Sequence, residues 1–469
     1  MDITPFLDKK SKIPLYEQLY TFFKQEISHA RISKGTKLPS KRRLSSLLDV
    51  STATIERAYE QLTAEGYVKS KPKIGWFAAE VEPDFPSAPD HFQQSAQPGS
   101  HKKNAPAIDF HQGNVDPAHF PFTAWRKSIV KSLDRYSDSF HTSGDPQGEY
   151  ELRHTIARFV RLSRGVNCEP DQIIIGAGTT VLLQILCLML KPGTKIGFEE
   201  PGFHRSRKIF EANRMNVIPI CTDAEGVLPD ELYRRNPYFM YTTPSHQFPL
   251  GTIMTITRRQ ELLAWAAKSN SFIIEDDYDG EFRYSGHPIP SLQGLDPNGR
   301  VIYLGTFSKS LLPSLRLSFM IVPPELMKSI KNNAQLMKQT VSAHSQFALA
   351  DFIETGEWQK HINRMRGLYR KKHAVLLKAI RSELGNTVEI LGKNSGLHIL
   401  LRLLFPASEE EAIKTAANNG VTIYPVSPSY KERTPFVSVL IGYGGLSEED
   451  IKLGIQKLKT AWTPLISSY

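Results

Sequence analysis

Along Ser271-Phe272-Ile273-Ile274-Glu275-Asp276-Asp277-Tyr278-Asp279-Gly280 an apolar run turns within one residue into a run of carboxylates. A half-exposed strand alternates instead. A strand covered on both faces, with polar groups delivered only at its carboxy-terminal edge, reads as this stretch does. Such strands belong to largely parallel sheets flanked by helices, and ligands bind at the carboxyl ends of their strands. A second stretch has the same build: Val301-Ile302-Tyr303-Leu304 leads into Gly305-Thr306-Phe307-Ser308-Lys309-Ser310, with Arg316 beyond. Lys309 is therefore expected in a loop at a strand end, not on a solvated helix face.

A lysine among small hydroxyls, with an arginine after it, matches what pyridoxal 5'-phosphate (PLP) requires. The Lys309 amine forms a Schiff base with the aldehyde, Thr306 and Ser308 hydrogen-bond a phosphate, and Arg316 supplies a charge-assisted clamp. The ring nitrogen stays protonated only beside a buried acid, and Asp276 is assigned to it. Tyr278, two residues on and on the same side of an extended chain, reaches the ring's phenolic oxygen. Upstream, Ile174-Ile175-Gly176-Ala177-Gly178-Thr179 is a strand passing through a glycine turn into an apolar helix. The free amides of such a turn make an anion site, so Gly178 and Thr179 form the other side of a phosphate cup. Taken singly, the acids also suit a metal-binding cluster or a solvated loop, and Lys309 a surface lysine. It is their combination that favours the cofactor.

The amino-terminal part reads differently. Apolar residues at 15, 16, 19, 22, 23 and 27 have helical spacing, with Pro14 in the first turn. Ser40 caps a second helix to about Leu48, and Ser51 or Thr52 a third to about Glu65, with Ile55, Ala58, Tyr59 and Leu62 as its buried stripe. Helices two and three form a helix-turn-helix, whose third helix presents Thr52, Thr54 and Arg57 to the major groove. Tyr67 to Phe77 alternates as a hairpin with a basic tip, a wing carrying Lys69, Lys71 and Lys73. Residues 1–80 hold fourteen Lys/Arg against nine Asp/Glu, half of the chain's net charge of +10. With Lys41-Arg42-Arg43 this basic surplus favours phosphate backbones over a protein-docking role.

Between the two parts, residues 82–106 carry five prolines and no periodicity, which reads as a linker. The domain expectation is thus 1–81 for DNA binding, 82–106 for the linker and 107–469 for a second domain, with a smaller subdomain from about 335.

The motifs Leu38-Pro39-Ser40-Lys41-Arg42, Asp145-Pro146-Gln147-Gly148, Gly176-Ala177-Gly178-Thr179, Glu199-Glu200-Pro201-Gly202, Thr243-Pro244-Ser245-His246-Gln247-Phe248-Pro249, Glu275-Asp276-Asp277-Tyr278 and Phe307-Ser308-Lys309-Ser310 occur in this order across nearly the whole chain. Together they resemble the MocR/GabR type of regulator, a GntR-like winged helix-turn-helix fused to a fold-type I aminotransferase-like domain. The resemblance implies an α/β fold with a large, mainly parallel-sheet domain and a smaller α+β carboxy-terminal domain. It also implies that Phe203 stacks on the cofactor ring, that His246 or Gln247 lies near the phenolic oxygen, and that Arg205 points to a ligand carboxylate. Two departures stand out. Thr52-Ala53 follow the turn where the family often has Arg and Asn, so its base readout does not transfer. The last strand, Phe436 to Tyr443, lacks the usual carboxylate-binding arginine, for which Arg433 or Arg402 is the substitute.

The implied function is a DNA-binding transcriptional regulator that senses a small amine or amino acid, or PLP itself, by external aldimine formation displacing Lys309. The alternative is a working aminotransferase with an accessory DNA-binding module. A homodimer presenting two DNA modules is expected, and so is a cytoplasmic location, since no apolar run reaches a membrane span and no signal peptide opens the chain. Three scattered cysteines, Cys168, Cys187 and Cys221, offer neither a disulfide framework nor metal-ligand spacing.

Overall fold

A computed structural model describes the chain except residues 1–6, 10, 12, 73, 81–107, 285–288, 334–336, 433 and 468–469. The expected linker, 82–106, lies wholly outside the described residues. The chain divides into two compact units, Met1–Lys103 and Asn104–Tyr469.

In the first unit α1 (Leu15–Ser28), α2 (Lys41–Leu48) and α3 (Thr52–Ala64) precede the antiparallel hairpin β1 (Val68–Lys71) and β2 (Gly75–Ala78). Both serine caps form: Ser40 Oγ accepts from the Arg43 amide at 3.3 Å and Ser51 Oγ from the Thr54 amide at 3.2 Å. The stripe on α3 packs with Leu19, Phe23 and Leu44 into a core confined to this unit.

The second unit opens with β3 (Ile108–Asp109), then α4 (Phe122–Arg135) and α5 (Tyr150–Arg164). Its large sheet contains β4 (Ile173–Gly176), β5 (Lys195–Glu200), β6 (Asn216–Asp223), β7 (Gly226–Val227), β8 (Phe239–Thr242), β9 (Phe272–Asp277), β10 (Val301–Thr306) and β11 (Ser318–Ile321). Across the sheet the order is β4-β11-β10-β9-β8-β5-β6-β7. The five strands from β10 to β6 run parallel, whereas β11 is antiparallel to both neighbours and β7 to β6. The sheet is therefore mixed around a parallel centre. Every residue of β9 is buried, as a strand covered on both faces requires.

The register aligns the functional edge. Leu304 pairs with Asp276 and Gly305 with Asp277, while Thr242 pairs with Glu275. The loop after β10 and the acids of β9 thus leave the sheet at one edge. Nearby, α6 (Thr179–Leu188) and α7 (His204–Ala212) start just after β4 and β5.

A smaller sheet, β12-β13-β16-β15, is built from β12 (Val388–Leu391), β13 (His398–Leu403), β15 (Tyr424–Pro425) and β16 (Ser438–Gly442). β14 (Val421–Thr422) pairs instead with β3, in parallel. After about 335, where the smaller subdomain is expected, come two helices, Ala343–Glu354 and Glu357–Glu383, separated at Gly356, whose φ is +76°. Among the described residues no helix is long and apolar enough to cross a membrane. The three cysteines are free, Cys221 being exposed.

Candidate functional site

The three acids at the end of β9 point to opposite faces, as a period of two demands. Glu275 accepts from the amides of Leu292 and Gln293 at 2.9 and 3.0 Å. Asp277 accepts from Arg164 Nε at 2.6 Å and the Tyr303 hydroxyl at 2.7 Å. These two carboxylates tie strands to helices. Asp276 alone faces the other way, where the Tyr241 hydroxyl donates to its Oδ2. Burial, with Asp277, Asp279 and Glu199 nearby, pushes its carboxyl up to about 7. The metal-cluster reading of the β9 acids fails on this geometry, because they do not converge.

The glycine turn and Arg316 meet as the cup requires. Gly178, the residue before α6, has φ +96°, and a Cβ there would come within 2.9 Å of the Arg316 guanidinium carbon. Arg316 Nη2 donates to the Ala177 carbonyl at 3.3 Å. Thr179 opens α6, whose first amides have no partner within the helix. From the other side, Thr306 Oγ1 accepts from the Ser308 amide at 3.2 Å and the Ser318 hydroxyl at 2.8 Å. The Ser308 hydroxyl is buried with no hydrogen-bond partner among the described residues. A guanidinium, a helix amino terminus and an orphaned hydroxyl around a space free of Cβ make an anion cradle.

Lys309 follows, its amine donating to the Gln112 carbonyl. Burial lowers its pKa to about 8, with Asp279 pulling it up and Arg205 pushing it down. A neutral amine is the nucleophile, so the shift makes this lysine reactive at a lower pH than an ordinary one. In the cofactor-free protein, aldehyde labelling of Lys309 is expected to rise through pH ~8. A midpoint at ~10.5, read by mass spectrometry of the labelled peptide, overturns this.

The remaining expected residues divide. Phe203 is half-buried, stacked on Phe248 at 4.0 Å and edge-on to Tyr278 at 5.3 Å. The Tyr278 hydroxyl donates to the His246 carbonyl at 2.9 Å and lies 3.0 Å from His246 Nδ1. Arg205 is exposed, joined to no carboxylate among the described residues, and close enough to perturb Lys309 and His111. Gln247 is not brought to the site: its amide donates to Pro201 O at 2.7 Å and accepts from the Leu250 amide at 3.1 Å. Of the two neighbours it is His246 that approaches the cluster, with Nδ1 2.9 Å from Asp279 Oδ2. Arg433 lies outside the described residues, and Arg402 pairs with Glu389 at 3.1 Å.

In the first unit Arg42, Arg43, Thr52 and Lys71 are exposed, as a nucleic-acid face needs. Lys41 instead pairs with Glu56 and sits 4.9 Å from the Trp76 ring centroid, which fixes the wing to the helices. Thr54 Oγ1 is 2.8 Å from Ser51 Oγ, and the exposed Arg57 stacks on Tyr16 at 4.1 Å. Lys73 lies outside the described residues.

Residues 15–78 match the profile of the bacterial regulatory proteins, gntR family, and residues 105–458 that of aminotransferase class I and II. An HTH-type transcriptional regulator of Bacillus subtilis (strain 168), YhdI, is 90% identical over 469 residues, covering 100% of both chains. The probable rhizopine catabolism regulatory protein MocR of Rhizobium meliloti is 32% identical, covering 98% of this chain and 96% of its own. This chain belongs to the MocR/GabR type of transcriptional regulators. The second unit of this MocR-type regulator has its fold in common with solved aminotransferases. An archaeal alanine:glyoxylate aminotransferase crystal structure superposes with a TM-score of 0.72 at 27% identity, covering 77% of this chain and 92% of that one. The aminotransferase class I and II family is PLP-dependent. The residues present fit that cofactor: the Gly178 cradle and the orphaned Ser308 hydroxyl suit its phosphate, and the low-pKa Lys309 amine suits its aldehyde.

Proposed function

We propose that this MocR-type regulator senses a small amine or amino acid, or PLP itself, through PLP held at Lys309. What supports the reading is the Gly178 turn closed against the Arg316 guanidinium, together with the partnerless buried hydroxyl of Ser308, the residue before Lys309. Asp276 holds a proton at the ring nitrogen, supported by the Tyr241 hydroxyl on its other side. Phe203 covers one ring face, Tyr278 lies at the edge, and the exposed Arg205 receives an effector carboxylate. When bound, the cofactor supplies an aldehyde for amine capture and an electron-withdrawing ring. In the first unit Arg42, Arg43, Arg57 and Lys71 contact DNA phosphates, with Thr52 at base edges. A homodimer would present two such modules to paired half-sites.

The test is an absorption titration with a panel of amines alongside operator-binding assays. A band near ~420 nm, shifted by one amine in step with a change in DNA affinity, is the expected result. No band after PLP is added removes the sensing reading.

A further inference from the structure

The only hydrogen bond of the Lys309 amine among the described residues goes to a main-chain carbonyl, that of Gln112. Gln112 lies in a strap, residues 108–116, that is the first described stretch after positions 81–107. In sequence, therefore, the strap is what the DNA-binding unit's connection runs into.

The strap is pinned at both ends and closely packed between them. Ile108 and Asp109 pair with Val421 and Thr422. The Tyr424 hydroxyl donates to Asp109 at 2.8 Å, and the His111 ring meets Tyr424 edge-on at 4.8 Å. At the far end Lys372 Nζ donates to the buried Asp116 carboxylate at 2.6 Å. Between them the backbone lies directly on glycines at and after the end of β16. A Cβ on Gly442 would come within 2.5 Å of the Gln112 nitrogen, one on Gly444 within 2.7 Å of the Asn114 oxygen, and one on Gly445 within 2.6 Å of the Asn114 Cβ. Side chains there would lift the strap off the small sheet. The Gln112 side-chain amide oxygen is also buried, with no hydrogen-bond partner among the described residues.

We propose that Gln112 is a positioning residue that docks the free Lys309 amine, so that the strap leading to the DNA-binding unit is held differently when that amine is free and when it is engaged. The Lys309 nitrogen keeps its three donor hydrogens only while it is an ammonium. Engagement with the cofactor removes the bond to Gln112, and release restores it. A ligand that frees or captures the amine thereby favours one of two strap states, as a population shift requires. This rests on the cofactor reading above.

Two experiments test it. In the full-length, cofactor-free protein, amide exchange is followed across the peptide Phe110–Asp116 with and without Lys309→Ala. Exchange there is expected to quicken several-fold in the variant; unchanged exchange overturns the proposal, whatever the cofactor does. In the PLP-loaded protein, Gly442→Ala displaces the strap without touching Lys309, Asp276 or the phosphate cradle. The absorption band and its shift with an amine are expected to persist. The accompanying change in operator affinity, of about fivefold or more in the unaltered protein for typical coupling, is expected to fall below about twofold. A variant that keeps band, shift and full DNA response overturns the proposal. Loss of the band in the unaltered protein would sink the cofactor reading while leaving the exchange result to decide the docking contact.

Discussion

Gly178→Val is expected to weaken PLP binding on the order of 100-fold while leaving the fold intact. Two effects combine at this position. The backbone has φ +96°, which a β-branched residue adopts only under strain of about 1–3 kcal/mol. The new side chain also enters the space now bordered by the Arg316 guanidinium, whose carbon lies 2.9 Å from the Cβ position. Arg316 is exposed and sits on a long side chain, so it can swing aside at little cost to folding. Swinging aside removes it from the phosphate, and a lost charge-assisted hydrogen bond is worth about 1.5–3 kcal/mol. The lost hydrogen bond therefore falls on the ligand, whereas the backbone strain is carried with or without PLP and lowers the melting temperature modestly without unfolding the domain. A PLP titration followed by absorption, with thermal melting as the control, measures both. Affinity within twofold of the unaltered protein would sink the cradle. Arg316→Lys is a graded companion: it keeps the charge but loses the planar fork, so an intermediate affinity is expected.

What the sequence made legible, and what it hid, follows from the range of the interactions. That one of three adjacent acids faces away from the other two follows from a strand's period of two, which is local, and Glu275 and Asp277 do point away from Asp276. Its hydroxyl partner Tyr241 lies on a different strand and has no local signal. The first unit's helices were readable from apolar spacing and from the caps Ser40 and Ser51, which act within three residues. Lys41 looked like part of a basic patch. Its true surroundings, Glu56 and Trp76, come from α3 and β2 and could not be seen from the triplet Lys41-Arg42-Arg43. His246 and Gln247 share one motif and could not be told apart by it; the structure spends the Gln247 amide on Pro201 and Leu250 and brings His246 forward. Asp279, the partner of His246, is 33 residues away. Gln112 carried no signal at all, since its contribution is a backbone carbonyl, which every residue has. The two-residue strands β14 and β15 were invisible for a similar reason: they exist through their partners, not through a pattern of their own.

Leu62→Ala is expected to abolish operator binding at physiological temperature while leaving the PLP band unchanged. Leu62 is fully buried on α3, in a core made with Leu19, Phe23, Leu44, Ile55, Ala58 and Tyr59. Truncating a buried leucine costs about 2–5 kcal/mol through lost burial and the cavity left behind. A domain of this size has a total stability of only about 5–15 kcal/mol, and the smallest lie at the low end. The helix presenting Thr52 and Arg57 is the one that carries the cavity, so its docking on α1 and α2 is what fails first. Each kcal/mol lowers the melting temperature of a 60–100-residue domain by about 4–8 °C, which puts the expected fall above ~8 °C. Every described residue of this core belongs to the first unit. The cofactor site should therefore melt at its original temperature, as a separate transition in calorimetry and in the loss of the visible band. Were band and DNA binding instead lost together at one lowered temperature, the two units would form a single cooperative structure. The regulator could not then be read as a DNA-binding module joined to an independently folded sensor.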